Sequence, residues 1–294
     1  MDTEKPGVTV VVPTLNRGDF LYDCLTDLLA QSHRPLEILV VDQSTDVPAH
    51  IQQLIAAHPA TITHYRVSFR GLPQARNYGW KHARYDAIVY VDDDVRCPPN
   101  LVREHLRALL LPNVGVVAGR IDERGRTPDA TRKAGRFNYW TGSPERNFAA
   151  HDEYDVDAVA GCNFSTWRQV AASVGGVDER LNAGAALFEE TEFALRVRRT
   201  GYRVYYNGSA TLRHLVSPGG GCRVNQVRPY VWALAHNRTI VIQRHLHWYQ
   251  RGVAHAETLR LGFAYAAHYR KPGVLVSAVC GGLAGMKHSS AISV

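Results

Sequence analysis

Ala87-Ile-Val-Tyr-Val91-Asp92-Asp93-Asp94 is the stretch on which the fold turns. Five apolar residues without alternation read as a strand buried on both faces, as in a parallel sheet. The run then meets three consecutive carboxylates. The same design recurs upstream. Val8-Thr-Val-Val-Val12 stops at Pro13, and Leu36-Glu-Ile-Leu-Val-Val41 stops at Asp42. Leu21, Leu25, Leu28 and Leu29 recur at helical spacing, Leu54 and Ile55 mark a short helical stretch, and Gln74 to Arg84 reads as a helix. Thr61 to Val67 and Val114 to Ala118 read as further strands. Strands alternating with helices imply βαβ units, so the expected fold is α/β: a mostly parallel sheet flanked by helices. Ligands of such sheets bind at the carboxyl ends of the strands. Pro13 to Arg17, Asp42 and Asp92 to Asp94 should therefore meet in one crevice.

Beyond residue 119 the pattern changes. Arg120 to Asp152, rich in Gly, Arg, Pro and aromatics, reads as a long loop region. Glu190 to Arg199 reads as a helix, Tyr202 to Tyr206 as a strand and Ala210 to Leu215 as another. Pro218-Gly-Gly-Gly221 is a break. After it, Val231, Leu234, Arg238, Ile242, Leu246 and Tyr249 form a helical stripe. The expected organisation is a catalytic domain over 1–215, with halves meeting near 119 and 120, followed by a basic helical extension over 216–294.

The 294 residues are 45% hydrophobic and 21% charged, which excludes a disordered or collagen-like chain. The net charge of +7 suggests a polyanionic partner. From Arg213 onward there are ten Lys or Arg against one acid, Glu257, so the positive excess sits in the C-terminal segment. Five cysteines with no C-x-x-C pair argue against a disulfide framework or structural zinc, and for a reducing compartment. Met1 to Gly7 lacks the apolar stretch of a signal peptide, and Gly273 to Met286, with four glycines, is too short to span a bilayer. The expected location is cytoplasmic or peripheral on the cytoplasmic face of the membrane.

Asp92-Asp93-Asp94 reads either as a site for a hard divalent cation or as a solvated acidic turn. Glu189-Glu190-Thr191-Glu192 opens a helix, where carboxylates favour the macrodipole; the other reading is a general base aimed at the crevice. His214 follows a strand and becomes a metal ligand only if it faces the aspartates. Arg76 and Asn77 reach phosphate or base edges, or simply open a helix.

In this order and at these spacings, the segments Val10 to Arg17, Gln31 to Asp42, Gly71 to Gly79, Val91 to Asp94, Val174 to Glu179, Glu189 to Glu192 with Arg196, Gly201-Tyr202 and His214 resemble the family 2 glycosyltransferases of the GT-A fold. The resemblance covers residues 8 to about 215. It implies an inverting enzyme taking a UDP- or dTDP-sugar donor and a divalent cation, Mn²⁺ or Mg²⁺. Pro13, Leu15, Arg17, Asp42, Arg76, Asp92 and Asp93 would bind the nucleotide-sugar. Asp94, Asp92 and His214 would hold the metal. Glu190 would be the base, with Glu189 or Glu192 as alternatives, because the family usually has Glu-Asp where this chain has Glu189-Glu190. Leu15 replaces a common Tyr, removing a surface for base stacking.

Other readings are a retaining GT-A enzyme, a sugar nucleotidyltransferase releasing pyrophosphate, and a basic nucleic-acid-binding protein, for which no motif is present and no nucleic acid is expected. Asn163, Trp140 and Glu192 are candidate acceptor contacts, with Asn163 alternatively capping a turn and Trp140 alternatively packing. The acceptor is a glycan, a lipid-linked sugar or a small molecule. The basic extension, with Trp232, Trp248 and Tyr249, either lies on an anionic membrane surface or packs on the catalytic domain.

Overall fold

The computed structural model describes residues 5–123, 133–221 and 224–289. The first half runs β1 (Val8–Thr14), α1 (Gly18–Leu29), β2 (Leu36–Asp42), α2 (Ala49–Ala57), β3 (Ile62–Arg66), α3 (Leu72–His82) and β4 (Ala87–Val91). Every residue of β1, β2 and β4 is buried, which is why their sequences carry no polar face. These strands pair in parallel in the order β3-β2-β1-β4.

The chain then forms β5 (Val95–Arg96), α4 (Leu101–Leu109), β6 (Val114–Glu123), β7 (Phe137–Asn138), β8 (Ser143–Pro144), β9 (Glu153–Val156), β10 (Asn163–Trp167), α5 (Arg168–Ser173), α6 (Glu189–Arg199) and β11 (Arg203–His214). β10 inserts antiparallel between β4 and β6, and β11 returns parallel beside β6. One continuous strand, β11, stands where two short ones are expected. Its register shifts between Asn207 and Thr211, and this irregularity is what looks like an interruption in the sequence. Of the expected loop region 120–152, β6 takes the start and β7 and β8 form a small hairpin; residues 124–132 lie outside the described residues.

Three helices follow: α7 (Val227–His245), α8 (Trp248–His268) and α9 (Gly273–Ser289). The expected stripe from Val231 to Tyr249 belongs to two helices, because the chain breaks at Leu246 and His247. α7 is buried on most of its circumference. It is tied to the catalytic domain by Asn237, whose Nδ2 donates to the Leu181 carbonyl at 2.8 Å and the Leu187 carbonyl at 2.9 Å. α9 packs on its other side through glycine. A Cβ at Gly281 would sit 2.2 Å from the Trp232 carbonyl oxygen, so no larger residue fits without moving a helix. The extension is thus packed on the catalytic domain.

Candidate active site

β1 has β2 on one side and β4 on the other, and a crevice opens where the chain departs in opposite directions from neighbouring strands. Pro13, Thr14, Leu15 and Arg17 from the end of β1, Asp92 to Asp94 from the end of β4, and His214 from the end of β11 line a cleft of about 620 Å³. Gln43, Arg70, Arg146 and Leu187 complete its wall. Convergence of Pro13, Leu15, Arg17 and the three aspartates is as the sequence predicts; Arg146 and Gln43 carry no motif and were not legible.

The acidic cluster is held by specific partners. Thr14 Oγ1 donates to Asp93 Oδ2 at 2.7 Å, and Arg17 Nη1 lies 2.9 Å from Asp93 Oδ1 and 3.2 Å from Asp94 Oδ2. The Ser217 amide donates to Asp94 Oδ2 at 2.8 Å. Burial pushes the Asp93 carboxyl up to about 6 against the pull of Arg17. Burial acts upward on Asp94 too, but the His214 hydrogen bond, the Arg17 charge and the Ser217 amide outweigh it and hold Asp94 at about 2. Burial lowers the His214 imidazole, yet Asp94 raises it further, so its net direction is upward.

Asp92, Asp94 and His214 place one ligand atom each within 4.8 Å of one another. Asp94 Oδ1 is buried and, apart from the long 3.4 Å approach of His214 Nε2, has no hydrogen-bond partner among the described residues. An orphaned carboxylate oxygen beside a second carboxylate and an imidazole fits a hard divalent cation of the Mg²⁺ or Mn²⁺ type, which would displace the proton of His214.

Arg17, expected at the nucleotide, lines the cleft and also bridges this cluster to the segment after β11. Its Nε donates to the Gly219 carbonyl at 2.8 Å and its Nη2 to the Gly220 carbonyl at 3.2 Å. Asp42 is also engaged: the Ser44 amide donates to Oδ1 at 2.8 Å, and His64 Nε2 lies 3.0 Å from Oδ2. These contacts outweigh burial and hold the Asp42 carboxyl below its usual range. Asp42 lines a neighbouring cleft with Thr14, Asn16 and Ser44 and is not part of the main wall. His64 sits on an exposed-looking strand, so nothing in the sequence marks it.

Arg76, also expected near the nucleotide, is 1% exposed and lies behind the cleft wall. Its Nη2 is 3.3 Å from Asp92 Oδ1 and donates to the Gly161 carbonyl at 2.8 Å, while its guanidinium pairs with Glu189. A single arginine therefore links the metal-type cluster on β4 to the first turn of α6.

The three glutamates of that turn have different fates. Glu189 is buried against Arg76. Glu192 is fully buried and accepts from Arg196 Nε at 2.8 Å and Arg244 Nη1 at 3.1 Å, with His245 Nε2 at 3.3 Å. Burial pushes Glu192 up, but these three partners bring it to about 2. It is a knot between α6 and α7, so the acceptor and base roles offered by the sequence do not suit it. Glu190 is the least buried of the three, its side chain 12% exposed and its carboxylate 4.0 Å from the cleft residue Arg146. The turn is introduced by Phe188 at φ 69°, a left-handed conformation costing a non-glycine residue roughly 1–2 kcal/mol.

Two acceptor candidates are not in the cleft. Asn163 is fully buried, donating to the Arg120 and Ala210 carbonyls while its Oδ1 lies 2.8 Å from His105 Nε2. Trp140 is half exposed and pairs with Tyr249, ring centroids 6.0 Å apart.

The family model for glycosyl transferase family 2 matches residues 9–175, more than half of the chain. The chain belongs to this family. This glycosyltransferase is 27% identical over 71% of its length to a glucosyl-dolichyl phosphate glucuronosyltransferase of Haloferax volcanii, covering 69% of that protein. It is 28% identical over 70% of its length to a pre-mycofactocin glycosyltransferase of Mycobacterium tuberculosis, of which it spans only 42%. Among solved structures it is similar to the mannosyltransferase PcManGT of Pyrobaculum calidifontis, in complex with GDP-Man and Mn²⁺, at TM-score 0.62 and 19% identity over 96% of this chain and 88% of that one. It is likewise similar to GalNAc-T7 with UDP, GalNAc and Mn²⁺, at TM-score 0.64 and 15% identity over 92% of this chain and 59% of that one. At these identities the structural likeness shows the GT-A fold.

Proposed function

We propose that this glycosyltransferase moves a sugar, with inversion, from a UDP- or dTDP-sugar to a hydroxyl of a lipid-linked or other glycan acceptor, with Glu190 as the base. The carrying observation is the partition of the α6 glutamates. Glu189 and Glu192 are buried in ion pairs, and of the three Glu190 alone keeps solvent exposure, with its carboxylate 4.0 Å from Arg146 of the cleft. It takes the acceptor proton as the hydroxyl oxygen attacks the anomeric carbon opposite the departing diphosphate. Arg70 and Arg146 line the cleft as cations for the phosphates, and Arg17 and Thr14 fix the Asp93 carboxylate. Asp92, Asp94 and His214 would hold a divalent cation, which would supply charge neutralisation for the leaving diphosphate. The Mn²⁺ named with two structural neighbours and the dolichyl phosphate named for the haloarchaeal relative support this reading. The basic extension is proposed to meet the membrane on which such an acceptor resides.

A panel of nucleotide-sugars with Mn²⁺ or Mg²⁺, followed by release of nucleoside diphosphate, tests the activity and the donor. Glu190→Gln should lower turnover about 10²- to 10⁴-fold with an unchanged melting temperature. Full turnover in that variant, or release of pyrophosphate in place of nucleoside diphosphate, overturns the proposal. The anomeric configuration of the product by NMR decides inversion against retention.

A further inference from the structure

The cations of the extension divide into two groups. Those of α7 turn inward: Arg238 is 2% exposed and donates to the Thr141 carbonyl, and Arg244 pairs with Asp178 and Glu192. Arg251 at the start of α8 also turns inward, donating to the Leu246 and Gln243 carbonyls, whereas Arg260 on α8, Arg270 and Lys271 between the two helices, and Lys287 on α9 are exposed. Glu257 is the sole acid of this segment and accepts twice from Arg260.

The apolar residues of α8 and α9 are arranged in the reverse of a soluble helix. Their buried stripes are small or polar: Gln250, Ala254, Thr258 and Gly262 on α8, and Ser277, Ala278, Gly281 and Gly285 on α9, with Val274 the exception. Their outward faces are large and apolar. Trp248, Leu259 and Phe263 on α8 are 80%, 41% and 60% exposed, and Val276, Leu283 and Met286 on α9 are 58%, 55% and 41% exposed. Residues 248, 252, 256, 259 and 263 follow one another at helical spacing, and all are exposed and uncharged. From Gly273 to Met286 there is no charged residue at all. Small residues inward and large apolar residues outward is the arrangement helices take against lipid, where close helix packing replaces hydrophobic burial.

No helix among the described residues is long and apolar enough to cross a membrane. We infer that α8 and α9 lie in the surface of an anionic bilayer, with Phe263 and Leu283 inserted among the lipid chains and Arg270, Lys271 and Lys287 against the headgroups. This deepens the membrane contact proposed above and rests on it. The cations favour an anionic lipid surface over a second copy of the chain, because a symmetric dimer would bring its own cations to the same patch.

Flotation of the full chain with phosphatidylcholine vesicles, with and without phosphatidylglycerol, tests the inference. Binding should require phosphatidylglycerol and weaken with salt. Phe263→Glu with Leu283→Glu should weaken it roughly tenfold or more, with melting temperature and donor binding unchanged. Lys271→Gln with Lys287→Gln should flatten the salt dependence. Binding by the wild type that survives the glutamate pair overturns this face while leaving a membrane contact in place. No binding by the wild type to either vesicle overturns both. A wild-type dimer by light scattering that the glutamate pair renders monomeric overturns the inference in favour of a self-interface.

Discussion

Glu192→Gln separates the structural glutamate from the proposed catalytic one. The substitution keeps the shape of the side chain, removes its charge and turns one acceptor oxygen into a donor facing arginine. Glu192 is wholly buried and meets Arg196, Arg244 and His245. Breaking a buried ion pair costs about 3–5 kcal/mol. Arg244 keeps Asp178, and Arg196 keeps the Val174 and Gly176 carbonyls, so the lower end, about 3 kcal/mol, is expected. At roughly 2–4 °C per kcal/mol for a chain of this order, the melting temperature should fall by about 6–12 °C. Thermal melts followed by circular dichroism read this directly, with turnover measured well below both melting temperatures as the second readout. Turnover should stay close to wild type, in contrast to Glu190→Gln. Acid sharpens the test. The folded Glu192 carboxyl titrates at about 2, below its ordinary 4.5, so its stabilisation is complete above pH 4.5 and disappears as the pH falls toward 2. The two melting curves should therefore converge in acid. An unchanged melting temperature at neutral pH, or a collapse of turnover without loss of stability, would refute the reasoning.

Gly281→Leu should destabilise the fold by about 1–3 kcal/mol, because the new side chain meets the Trp232 carbonyl, and denaturant melts would show it as a lower midpoint at unchanged slope. Chelation with EDTA should abolish transfer and re-addition of Mn²⁺ or Mg²⁺ restore it, while His214→Ala should raise the metal concentration needed for half activity; full activity in EDTA would contradict the metal reading. Arg76→Met should lower kcat more than it raises donor KM, since the lost guanidinium lies behind the cleft and aligns Asp92 and Glu189 without lining the donor wall; steady-state kinetics with the best donor would read the split.

What was legible in the sequence follows from where each residue's partners lie. Val8 to Val12, Leu36 to Val41 and Ala87 to Val91 announce themselves because both faces of these strands meet apolar neighbours. β10 is buried from Asn163 to Thr166, yet reads Asn163-Phe-Ser-Thr-Trp167. Its polar groups are satisfied from afar: His105 of α4 sits 2.9 Å from Ser165 Oγ and 2.8 Å from Asn163 Oδ1, and Thr166 Oγ1 donates to the Gly115 carbonyl. No local pattern encodes a hydrogen bond across about sixty residues of chain. α4 was not read from the sequence, although its buried Leu101, Val102, His105, Leu106 and Leu109 recur at helical spacing. In the site, the order Asp92, Asp93, Asp94, Glu190, His214 carried the reading. The placement of Arg76 and Asn163 behind the cleft, and of Arg17 in ion pairs within its wall, needed coordinates, because an arginine with a ligand and an arginine with a buried carboxylate have the same sequence signature.

The segment just past His214 bears on how the protein can be taken apart. The amides of Leu215 and Ser217 donate to Asp94, and the carbonyls of Gly219 and Gly220 hold Arg17, which in turn pairs with Asp93. A catalytic fragment cut at residue 215 would keep all three aspartates and still lose three of these groups, the Ser217 amide and the Gly219 and Gly220 carbonyls. Truncation libraries, domain swaps and chimeras should therefore place their junction C-terminal to residue 221. Even there, removing α7 takes Arg244 and His245 away from the buried Glu192 and leaves it to Arg196, so a grafted partner must bring its own guanidinium to that spot.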